Sequence, residues 1–418
     1  MKKISTLLVF GLVAILSGCS LTTADTVTTT LTETQNTEPV EVSTVAQLQA
    51  IGMTQDIELM NDLDLSGIEW SPLGSYLEPY SGTFNGNGHT ISNMTITVSG
   101  SDYNGLFAIV TGSINDLTIA DYSIDYTTSF VTYAGGLAGS STANITNVNV
   151  SGEINIVNAS SSSYVGLLVG VQSAYLTSEM TADEFIPNQV VNSNASGSLY
   201  VNSQFFSYVG GLIGKSYNSE ILFNEVNATI NVTSDLYRSY VGGLVGHHYG
   251  GILVGYETYV DTTEILIQGN VVFSDILVTS NGTSSSIGAF IGYSQYGQIY
   301  DNFASATIEA SGAQLYIGSL IGEDWHSTVD KVVSVVDFNV IEEENQILLL
   351  STFIGFNSDT TELSNAYYYA VSNTDFDQNL GDSITLQTLS EDTFYTSTLG
   401  WTNESIDLTY LLDGITVE

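Results

Sequence analysis

One short phrase recurs along the chain, and it constrains the fold more than any other feature of the sequence. The phrase opens with tyrosine, closes with glycine, and holds glycine and aliphatic residues between them. Its clearest copies are Tyr133–Gly139, Tyr164–Gly170, Tyr208–Gly214 and Tyr240–Gly246. Looser copies are Ile287–Gly292, Ile317–Gly322 and Thr352–Gly355, with an earlier relative at Tyr103–Phe107. Self-similarity of this kind indicates a repeat architecture in which each unit stacks on its neighbours.

The spacing of the copies sets the length of one unit. The closing glycines stand at positions 139, 170, 214, 246, 292, 322 and 355, so the steps are 31, 44, 32, 46, 30 and 33 residues. The two long steps carry insertions, at about residues 172–188 and 247–264. Between the copies, runs such as Ile145–Val150 and Ala228–Val232 alternate apolar and polar residues, which is typical of short strands. We therefore expect an all-β solenoid with three short parallel strands in each coil.

The ends of such a stack need cover, because an open strand edge invites pairing with another chain. The segment Ser43–Ile51 has helical spacing and a serine that could cap a helix. The segment Leu386–Leu399 is predicted to form a second helical cap, with Trp401 packed below it.

The repeats resemble the GLUG-motif proteins of bacterial surfaces, which also occur beside the catalytic domain of IgA-specific metalloendopeptidases. Three N-terminal segments look like the lead-in that such repeats carry: Asn61–Gly67, Trp70–Gly74 and Tyr80–Ile91. The resemblance implies a right-handed parallel β-helix (solenoid) of about 30-residue coils with short terminal caps, and a surface or adhesive role. It fixes no ligand and no catalytic residue. The chain has no His-Glu-x-x-His sequence, so the peptidase activity is not carried over.

The N-terminus has the pattern of an export signal. A short basic start is followed by the apolar run Leu7–Leu16, which is too short to span a membrane. The sequence Leu16-Ser17-Gly18-Cys19 resembles a bacterial lipobox, which implies cleavage before Cys19 and attachment of diacylglycerol to its sulfur. Cys19 is the only cysteine in the chain, and lipidation accounts for it. The alternative is a signal peptide that merely ends near a cysteine.

These patterns divide the chain into four parts. Residues 1–18 are the predicted lipoprotein signal peptide, and residues 19–40 are a Thr-rich tether. Residues 41–370 are the predicted β-helix, and residues 371–418 are the C-terminal cap.

The charge of the chain excludes one class of partner. The chain has 5 basic and 45 acidic residues, a formal net charge of −40. Beyond the leader the only cations are Lys215, Arg238 and Lys331, so nothing could displace the counterions of nucleic acid. Binding to anionic lipid also needs clustered basic residues, so the predicted contact with a membrane is the lipid anchor at Cys19.

No metal or cofactor site is predicted. The adjacent pair His247 and His248 would point to opposite faces of a strand, and two exposed turn histidines are the simpler interpretation. Asp62 and Asp64 would share a face of a strand. They could bind Ca²⁺ weakly, but a solvated acidic edge is the simpler interpretation, so no metal is assigned.

A row of aromatic residues follows the phrases and forms a candidate binding surface. Three positions beyond the closing glycines stand Tyr217, Tyr249 and Trp325, with Tyr293 and Tyr296 close to that row. We call these five residues the ledge. If the phrases stack in register, the ledge lies along one edge of the solenoid, beside both insertions, with Tyr175 further out. The alternative is that stacked aromatic rings only stabilise the turns.

The sequence therefore predicts a lipid-anchored, extracytoplasmic module on the cell surface. It would bind a host or environmental glycan or protein ligand through the ledge, and it would not be an enzyme. Two alternatives stay open: a carbohydrate-active β-helix enzyme, lyase or hydrolase, and a purely structural surface spacer. Carboxylates beside Lys215, Arg238 or Lys331, or converging in a groove, would favour the enzyme.

Overall fold

The computed structural model describes residues 38–97, 102–174, 185–254, 257–259, 265–341, 346–358, 361–372 and 376–402. Residues Pro39–Glu418 form one compact unit. The predictions for the leader, for Cys19, for most of the Thr-rich tether and for Tyr175 fall outside the described residues. Within them, no helix has both the length and the apolar character needed to cross a bilayer.

Sheet 1 is the largest of the three parallel sheets and contains 18 strands. Eight of these strands are long: Ser113–Thr128, Asn144–Asn158, Asn194–Ser203, Glu225–Ser234, Val271–Ser280, Gln298–Gly312, Thr328–Ile341 and Glu362–Ala370. The others are short: Val40–Val42, Ile57–Leu59, Leu63–Asp64, Thr83–Asn85, Thr90–Ser92, Thr95–Ile96, Gln189–Val191, Glu220–Leu222, Leu266–Gln268 and Asp382–Ser383.

Sheets 2 and 3 contain eight strands each and are built from the recurrent phrases. The strands of sheet 2 are Tyr103–Asn104, Thr132–Ala134, Ser163–Gly166, Ser207–Gly210, Ser239–Gly242, Ser285–Gly288, Gln314–Gly318 and Ile347–Ser351. The strands of sheet 3 are Phe107–Val110, Ala138–Ser141, Val169–Ser173, Ile213–Tyr217, Val245–Tyr249, Ile291–Gln295, Ile321–Trp325 and Ile354–Asn357. A small antiparallel hairpin, Ile252–Val254 with Glu257–Tyr259, lies in the second insertion.

Each strand pairs in parallel with its counterpart one repeat further on. Tyr164 is paired with Tyr208 in sheet 2, and Val226 with Val272 in sheet 1. Paired residues are therefore one repeat apart along the chain. The prediction of an all-β protein is confirmed.

The predicted right-handed parallel β-helix (solenoid) of equivalent 30-residue coils is wrong as a fold class. Sheet 1 is organised around eight parallel strands of 9–16 residues, and its short strands are bonded outside them. The strand Ser113–Thr128, for example, pairs with three short strands at once, Thr83–Asn85, Thr90–Ser92 and Thr95–Ile96. The spacing of the phrases determines which strands pair. It does not determine strand length, handedness or the arrangement of the short strands, and the prediction of three short strands per coil depended on these.

The three sheets enclose one continuous apolar core that extends from Val42 to Ala366. Along Glu225–Ser234, buried residues such as Val226, Ile230 and Val232 alternate with more exposed ones. This alternation follows from the two-residue period of a strand, which sends successive side chains to opposite faces. The three large apolar ones, Val226, Ile230 and Val232, are β-branched, as suits a pleated surface packed on one side.

Sheets 2 and 3 meet at a corner where only glycine fits. A methyl group on Gly246, in sheet 3, would lie 2.5 Å from the backbone nitrogen of Val209, in sheet 2 of the preceding repeat. One on Gly210 would lie 2.6 Å from the backbone nitrogen of Gly246. Because the two backbones are in direct contact, the phrase must carry glycine at both positions.

A ladder of buried asparagines supports the inner side of sheet 1. The amide nitrogen of Asn224 donates to Oδ1 of Asn270 at 3.0 Å, and that of Asn270 donates to Oδ1 of Asn302 at 3.0 Å. Each side chain also donates to a backbone carbonyl, which for Asn270 is that of Ile221 at 2.9 Å. The ladder supplies hydrogen-bond partners to backbone N–H and C=O groups that lack a strand partner where the chain bends.

The two ends of the core are covered by different devices. Helix α1, Val45–Gln49, buries Leu48, and its N-cap is Thr44, whose hydroxyl accepts from the backbone nitrogen of Gln47 at 3.3 Å; the cap is not the predicted Ser43. At the other end, Asp377 and Leu380 bond to the strand Ile347–Ser351 and to the residue after it.

The C-terminal helical segment packs on the outer face of sheet 1. Helix α2, Leu386–Leu389, and the π-helix Phe394–Leu399 form a second apolar cluster with outward side chains of the sheet, among them Phe303. Trp401 is buried in this cluster, and its indole nitrogen donates to Asp301 at 2.9 Å. The helices and the packing of Trp401 were expected, whereas their position along the side of the sheet was not.

Gly246→Ala should destabilise the protein strongly, because the new methyl group would force sheets 2 and 3 apart. Overpacking of this kind costs about 1–3 kcal/mol or more. The loss is measured as a lower midpoint of thermal unfolding, followed by circular dichroism. Gly52→Ala is the matched control, since a methyl group there meets only the flexible side chain of Gln55. Equal midpoints for the two variants would contradict the close-contact explanation of the phrase.

Asn270→Ala should also destabilise the protein, by about 2–4 kcal/mol, because the backbone nitrogen of Asn224 and the carbonyl of Ile221 would lose a partner in the core. The exposed Asn194, on a strand of the same sheet, supplies the control Asn194→Ala. Urea-induced unfolding of both variants measures the difference. If Asn270→Ala unfolded at the urea concentration of the control, the ladder would have no structural role.

Candidate functional site

The tyrosines that open the phrases form a stack on the outer side of sheet 2. Successive ring centroids are separated by 4.6, 4.8, 4.6 and 5.3 Å, and the rings are close to parallel. These distances match the separation of neighbouring strands, because residues paired in register lie one above the other. We call these residues the tyrosine stack: Tyr103, Tyr133, Tyr164, Tyr208 and Tyr240.

An arginine continues the stack where the tyrosines stop. Tyr240 is paired with Ser286, and Ser286 with Tyr316, so one ring is missing. The guanidinium carbon of Arg238 lies 5.1 Å from the ring centroid of Tyr240 and 6.0 Å from that of Tyr316. Arg238 also forms an ion pair with Glu323, which accepts from the hydroxyl of Ser286 at 2.9 Å. Arg238 therefore fills the gap as a planar cation between two aromatic faces.

A row in sheet 3 lies opposite the tyrosine stack. Strand pairing aligns Lys215, His247, Tyr293 and Glu323, which we call the facing row. The ring of His247 lies 5.7 Å from that of Tyr208 and 5.4 Å from that of Tyr240. We call the region where the two rows pack against each other the elbow, and the glycine corner positions both rows.

Lys215 is held in an aromatic cage within the elbow. Its ammonium nitrogen lies 4.5 Å from the ring centroid of Tyr208, 4.7 Å from that of Tyr217 and 6.0 Å from that of Tyr164. Only 9% of the residue is exposed, and no side chain of the described part of the protein gives its ammonium group a carboxylate or a hydrogen-bond acceptor. Burial lowers the pKa of Lys215 to about 8.

His247 and His248 lie in one strand and face opposite ways. His247 points into the elbow, and its pKa is lowered well below its ordinary value by burial first and then by the charge of Lys215. His248 points into the core, where burial lowers its pKa to about 3. Both are neutral at physiological pH. They are not the exposed turn histidines of the simpler interpretation, and their opposite directions prevent them from sharing an ion.

The structure brings most of the predicted ledge together. The ring of Tyr249 lies 6.2 Å from that of Tyr217 and 5.9 Å from that of Tyr296. Tyr296 stacks on the exposed His326 at 5.2 Å, and His326 lies 6.5 Å from Trp325. All five ledge residues are partly exposed. The result is an aromatic surface along the rim of the elbow.

Two ledge residues occupy positions that the sequence did not indicate. Tyr293 belongs to the facing row, where its ring lies 5.5 Å from that of Tyr240. Tyr296 follows the strand Ile291–Gln295 and adopts a left-handed backbone conformation with φ of 58°. Gln295, rather than a tyrosine, therefore pairs with Tyr249 and Trp325 in the row.

Sequence reasoning missed the tyrosine stack and the Arg238–Glu323 pair. The stack had a signal, since the first residue of four phrases is tyrosine at the repeat interval. The ion pair had none: its partners are 85 residues apart, and the second insertion lies between them.

Asp62 and Asp64 act as hydrogen-bond acceptors near the N-terminal end, where Asp62 precedes the short strand Leu63–Asp64 and Asp64 ends it. Asp62 accepts from the backbone nitrogen of Thr90 at 2.9 Å and from His89 at 3.1 Å, and Asp64 accepts from Ser66 and Asn93. These hydrogen bonds lower the pKa of both carboxyl groups. Across the described ranges, no three His, Cys, Asp or Glu side chains converge as metal ligands would. Weak Ca²⁺ binding stays an untested prediction.

Two shallow grooves lie on the outer face of sheet 1. One, of about 360 Å³, is lined by Asp275, Thr307 and Asp337 among others, and the second, of about 310 Å³, includes Asp275 and Glu309. Asp275 and Asp337 stand two strands apart with Thr307 between them. No cation is among the residues that line either groove.

Comparison with known proteins gives partial matches. No family model matches the chain, so the resemblance to GLUG-motif proteins stays a prediction. An alignment over 215 residues, which covers 42% of this chain, is 30% identical to halomucin of Haloquadratum walsbyi and covers 2% of that protein. An alignment over 106 residues, which covers 24% of this chain, is 36% identical to a protein named as a Gly-rich membrane protein of Evansella cellulosilytica and covers 12% of it. The chain thus spans a small part of these relatives.

Among solved structures, one is similar over most of the chain. It is named as an immunoglobulin A1 protease from Bacteroides ovatus, is 14% identical and has a TM-score of 0.42, with 87% of this chain and 88% of that one covered.

The ε-amino group of Lys215 should titrate near pH 8, because burial disfavours its charged form. The group should be charged below that pH and neutral above it. Protein labelled with ¹³C-lysine and freed of its leader gives signals only from Lys215 and Lys331, and the variant Lys331→Arg assigns them. A Lys215 signal that titrated at the ordinary lysine value of 10.5 would mean that the three tyrosine faces offset the cost of burial.

Proposed function

We propose that the protein is a cell-surface module that binds an external ligand, glycan or protein, through the ledge. The observation that carries the proposal is the partly exposed aromatic surface formed by Tyr217, Tyr249, Tyr296 and Trp325 along one rim of a rigid sheet. Aromatic side chains offer a large contact area at a low cost in conformational entropy, and they dominate binding hot spots.

The scaffold supports the proposal because it holds the ledge in place. The rings lie on or directly after the strands of sheet 3, whose backbone contacts that of sheet 2 through the glycine corner. Little ordering is then required when a ligand binds, so more of the contact free energy remains as affinity. Both insertions also begin where strands of sheet 3 end, near this rim. Segments that connect the strands of a rigid scaffold are a common place for recognition.

The placement at the surface has separate support. The relatives are named as halomucin and as a Gly-rich membrane protein, names that fit a protein of the cell surface or membrane. We propose that the chain reaches that location as a lipoprotein anchored through Cys19, on the strength of the lipobox-like sequence before it.

The ledge is tested with the double variant Tyr249→Ala/Trp325→Ala, in secreted protein that carries Cys19→Ser to keep it free of lipid. Wild-type and variant protein probe one array of glycans and extracellular-matrix proteins. We expect saturable binding by the wild type and a loss of at least about tenfold in the variant, because hot-spot aromatic residues each contribute about 1–2 kcal/mol or more.

The matched control removes two exposed aromatic residues away from the ledge, Tyr76→Ala/Phe130→Ala. The control should bind like the wild type, and far-ultraviolet circular dichroism should be the same for all three proteins. Binding that survives loss of Tyr249 and Trp325 would refute the ledge as the site. A wild type that binds nothing on the array would favour the structural spacer.

The carbohydrate-active enzyme remains the second candidate, since Asp275 and Asp337 line one groove of sheet 1. Carboxylates two strands apart are separated by roughly 9–10 Å, at the upper limit of the spacing in inverting glycosidases. The groove lacks a neighbouring cation, and the one carboxylate beside Arg238, Glu323, is already paired with it. Release of sugar from polysaccharides, abolished by Asp275→Asn, would establish the enzyme over the binding module.

A further inference from the structure

The tyrosine stack places phenol rings in direct contact across successive repeats. Its four neighbouring pairs have centroid distances of 4.6–5.3 Å and interplanar angles of 7–15°. Because the strands of sheet 2 pair in parallel and in register, equivalent atoms of neighbouring rings lie one above the other. The ring carbons beside the hydroxyl group are the carbons that couple when tyrosine is oxidised. In the stack these carbons face their counterparts in the next repeat.

Other tyrosines of the same surface contact each other at angles that do not align these carbons. The rings of Tyr217 and Tyr249 are inclined by 54°, and those of Tyr249 and Tyr296 by 88°. The ring of Tyr293 meets that of Tyr240 at 77°. In such contacts the edge of one ring points toward the other ring. The protein therefore contains stacked and inclined tyrosine pairs, which differ chiefly in ring orientation.

The tyrosine stack is open to oxidation at its outer edge. Four of its rings are partly exposed, and Tyr240 is the buried member. Rings in van der Waals contact exchange an electron readily, so an oxidation at one exposed tyrosine is shared along the stack. The stack ends at Tyr240, because the guanidinium of Arg238, which carries no phenol, separates that ring from Tyr316.

No disulfide can join one repeat of this chain to another. The chain has one cysteine, Cys19, which lies before the first repeat. Each repeat therefore depends on noncovalent contact with its neighbours. A bond between two stacked tyrosines would join repeats that are adjacent in the structure and one whole unit apart along the chain. Such a bond closes a loop, which lowers the entropy of the unfolded chain.

We propose that the tyrosine stack is a site of oxidative cross-linking, in which neighbouring rings are joined as dityrosine and connect one repeat to the next. Two adjacent phenols each lose one electron and the hydroxyl proton, which gives two tyrosyl radicals. The radicals form one C–C bond between carbons beside the hydroxyl groups, and the hydrogens on those carbons return to the oxygens as the rings regain aromaticity. Two equivalents of a one-electron oxidant outside the protein accept the electrons, and water accepts the two protons.

The links form within one molecule rather than between molecules. Strand pairing holds the two radicals in contact, so their coupling requires no diffusional encounter. The net charge of −40 also keeps separate copies of the chain apart. This inference goes beyond the proposed binding function and needs neither the ledge nor a ligand.

The test oxidises the full secreted chain, carrying Cys19→Ser, with light-activated ruthenium tris-bipyridine and persulfate, and measures dityrosine by its fluorescence. The variant Tyr133→Phe/Tyr208→Phe removes a hydroxyl group from every neighbouring pair of the stack and keeps all the rings. We expect this variant to lose most of the dityrosine that the wild type forms. The matched control Tyr249→Phe/Tyr293→Phe removes two hydroxyl groups from the inclined pairs and should form as much dityrosine as the wild type.

Mass spectrometry after cleavage at acidic residues identifies the linked pairs. The expected links join neighbours within the stack, and none reaches Tyr316. The oxidised wild type should stay monomeric in denaturing electrophoresis and should unfold at a higher temperature than before oxidation, unlike Tyr133→Phe/Tyr208→Phe. A wild type that formed no dityrosine, or the same yield in the stack variant, would overturn the proposal. Links that joined mainly inclined pairs or separate molecules would overturn it as well.

Discussion

The contact between the backbones of sheets 2 and 3 is the constraint on which the rest of this structure depends. Gly210 and Gly246 bring main-chain atoms of neighbouring repeats closer than any side chain permits. The packing of this corner, rather than a ligand site, therefore explains why the phrase recurs in the sequence. Once the corner is fixed, the residues that flank it must face each other. The glycine contacts therefore position the tyrosine stack and the facing row through their backbone rather than through their side chains.

Because the strands pair in register, equivalent residues of successive repeats form continuous columns, and a change at one position alters the column. A tyrosine repeated in each phrase becomes a continuous column of rings, and one change at Ser286 makes a gap that Arg238 fills. The same logic applies in the core, where Asn224, Asn270 and Asn302 complete one another's hydrogen bonds. Each residue in such a column has its ring contacts or hydrogen-bond partners in the neighbouring repeats. Stability and surface chemistry are therefore both properties of the stack and not of one repeat.

The sequence predicts the structure correctly wherever the pairing of strands follows from the spacing of the recurrent phrases. The phrase interval predicts parallel pairing, and the three-residue offset predicts that Tyr217 and Tyr249 are neighbours, as they are. The same offset places Gln295 in this row, and Tyr296, one residue further on, adopts a left-handed conformation outside it. Spacing fails more broadly for the fold class, since it carries no information on the length of the strands of sheet 1 or on the short strands bonded outside them. Arg238 and Glu323 show the same limit, because they are 85 residues apart and the second insertion separates them.

Charge distinguishes two parts of this surface. The grooves of sheet 1 present Asp275, Asp337 and Glu309, which have the same sign as the body of the protein. The elbow contains Lys215, whose ammonium group lies against three tyrosine rings and forms no ion pair with a described residue. In a body of charge −40, this makes the position of Lys215 different from its surroundings. Burial lowers the pKa of Lys215 to about 8, so the group is charged at neutral pH although its partners are rings rather than carboxylates.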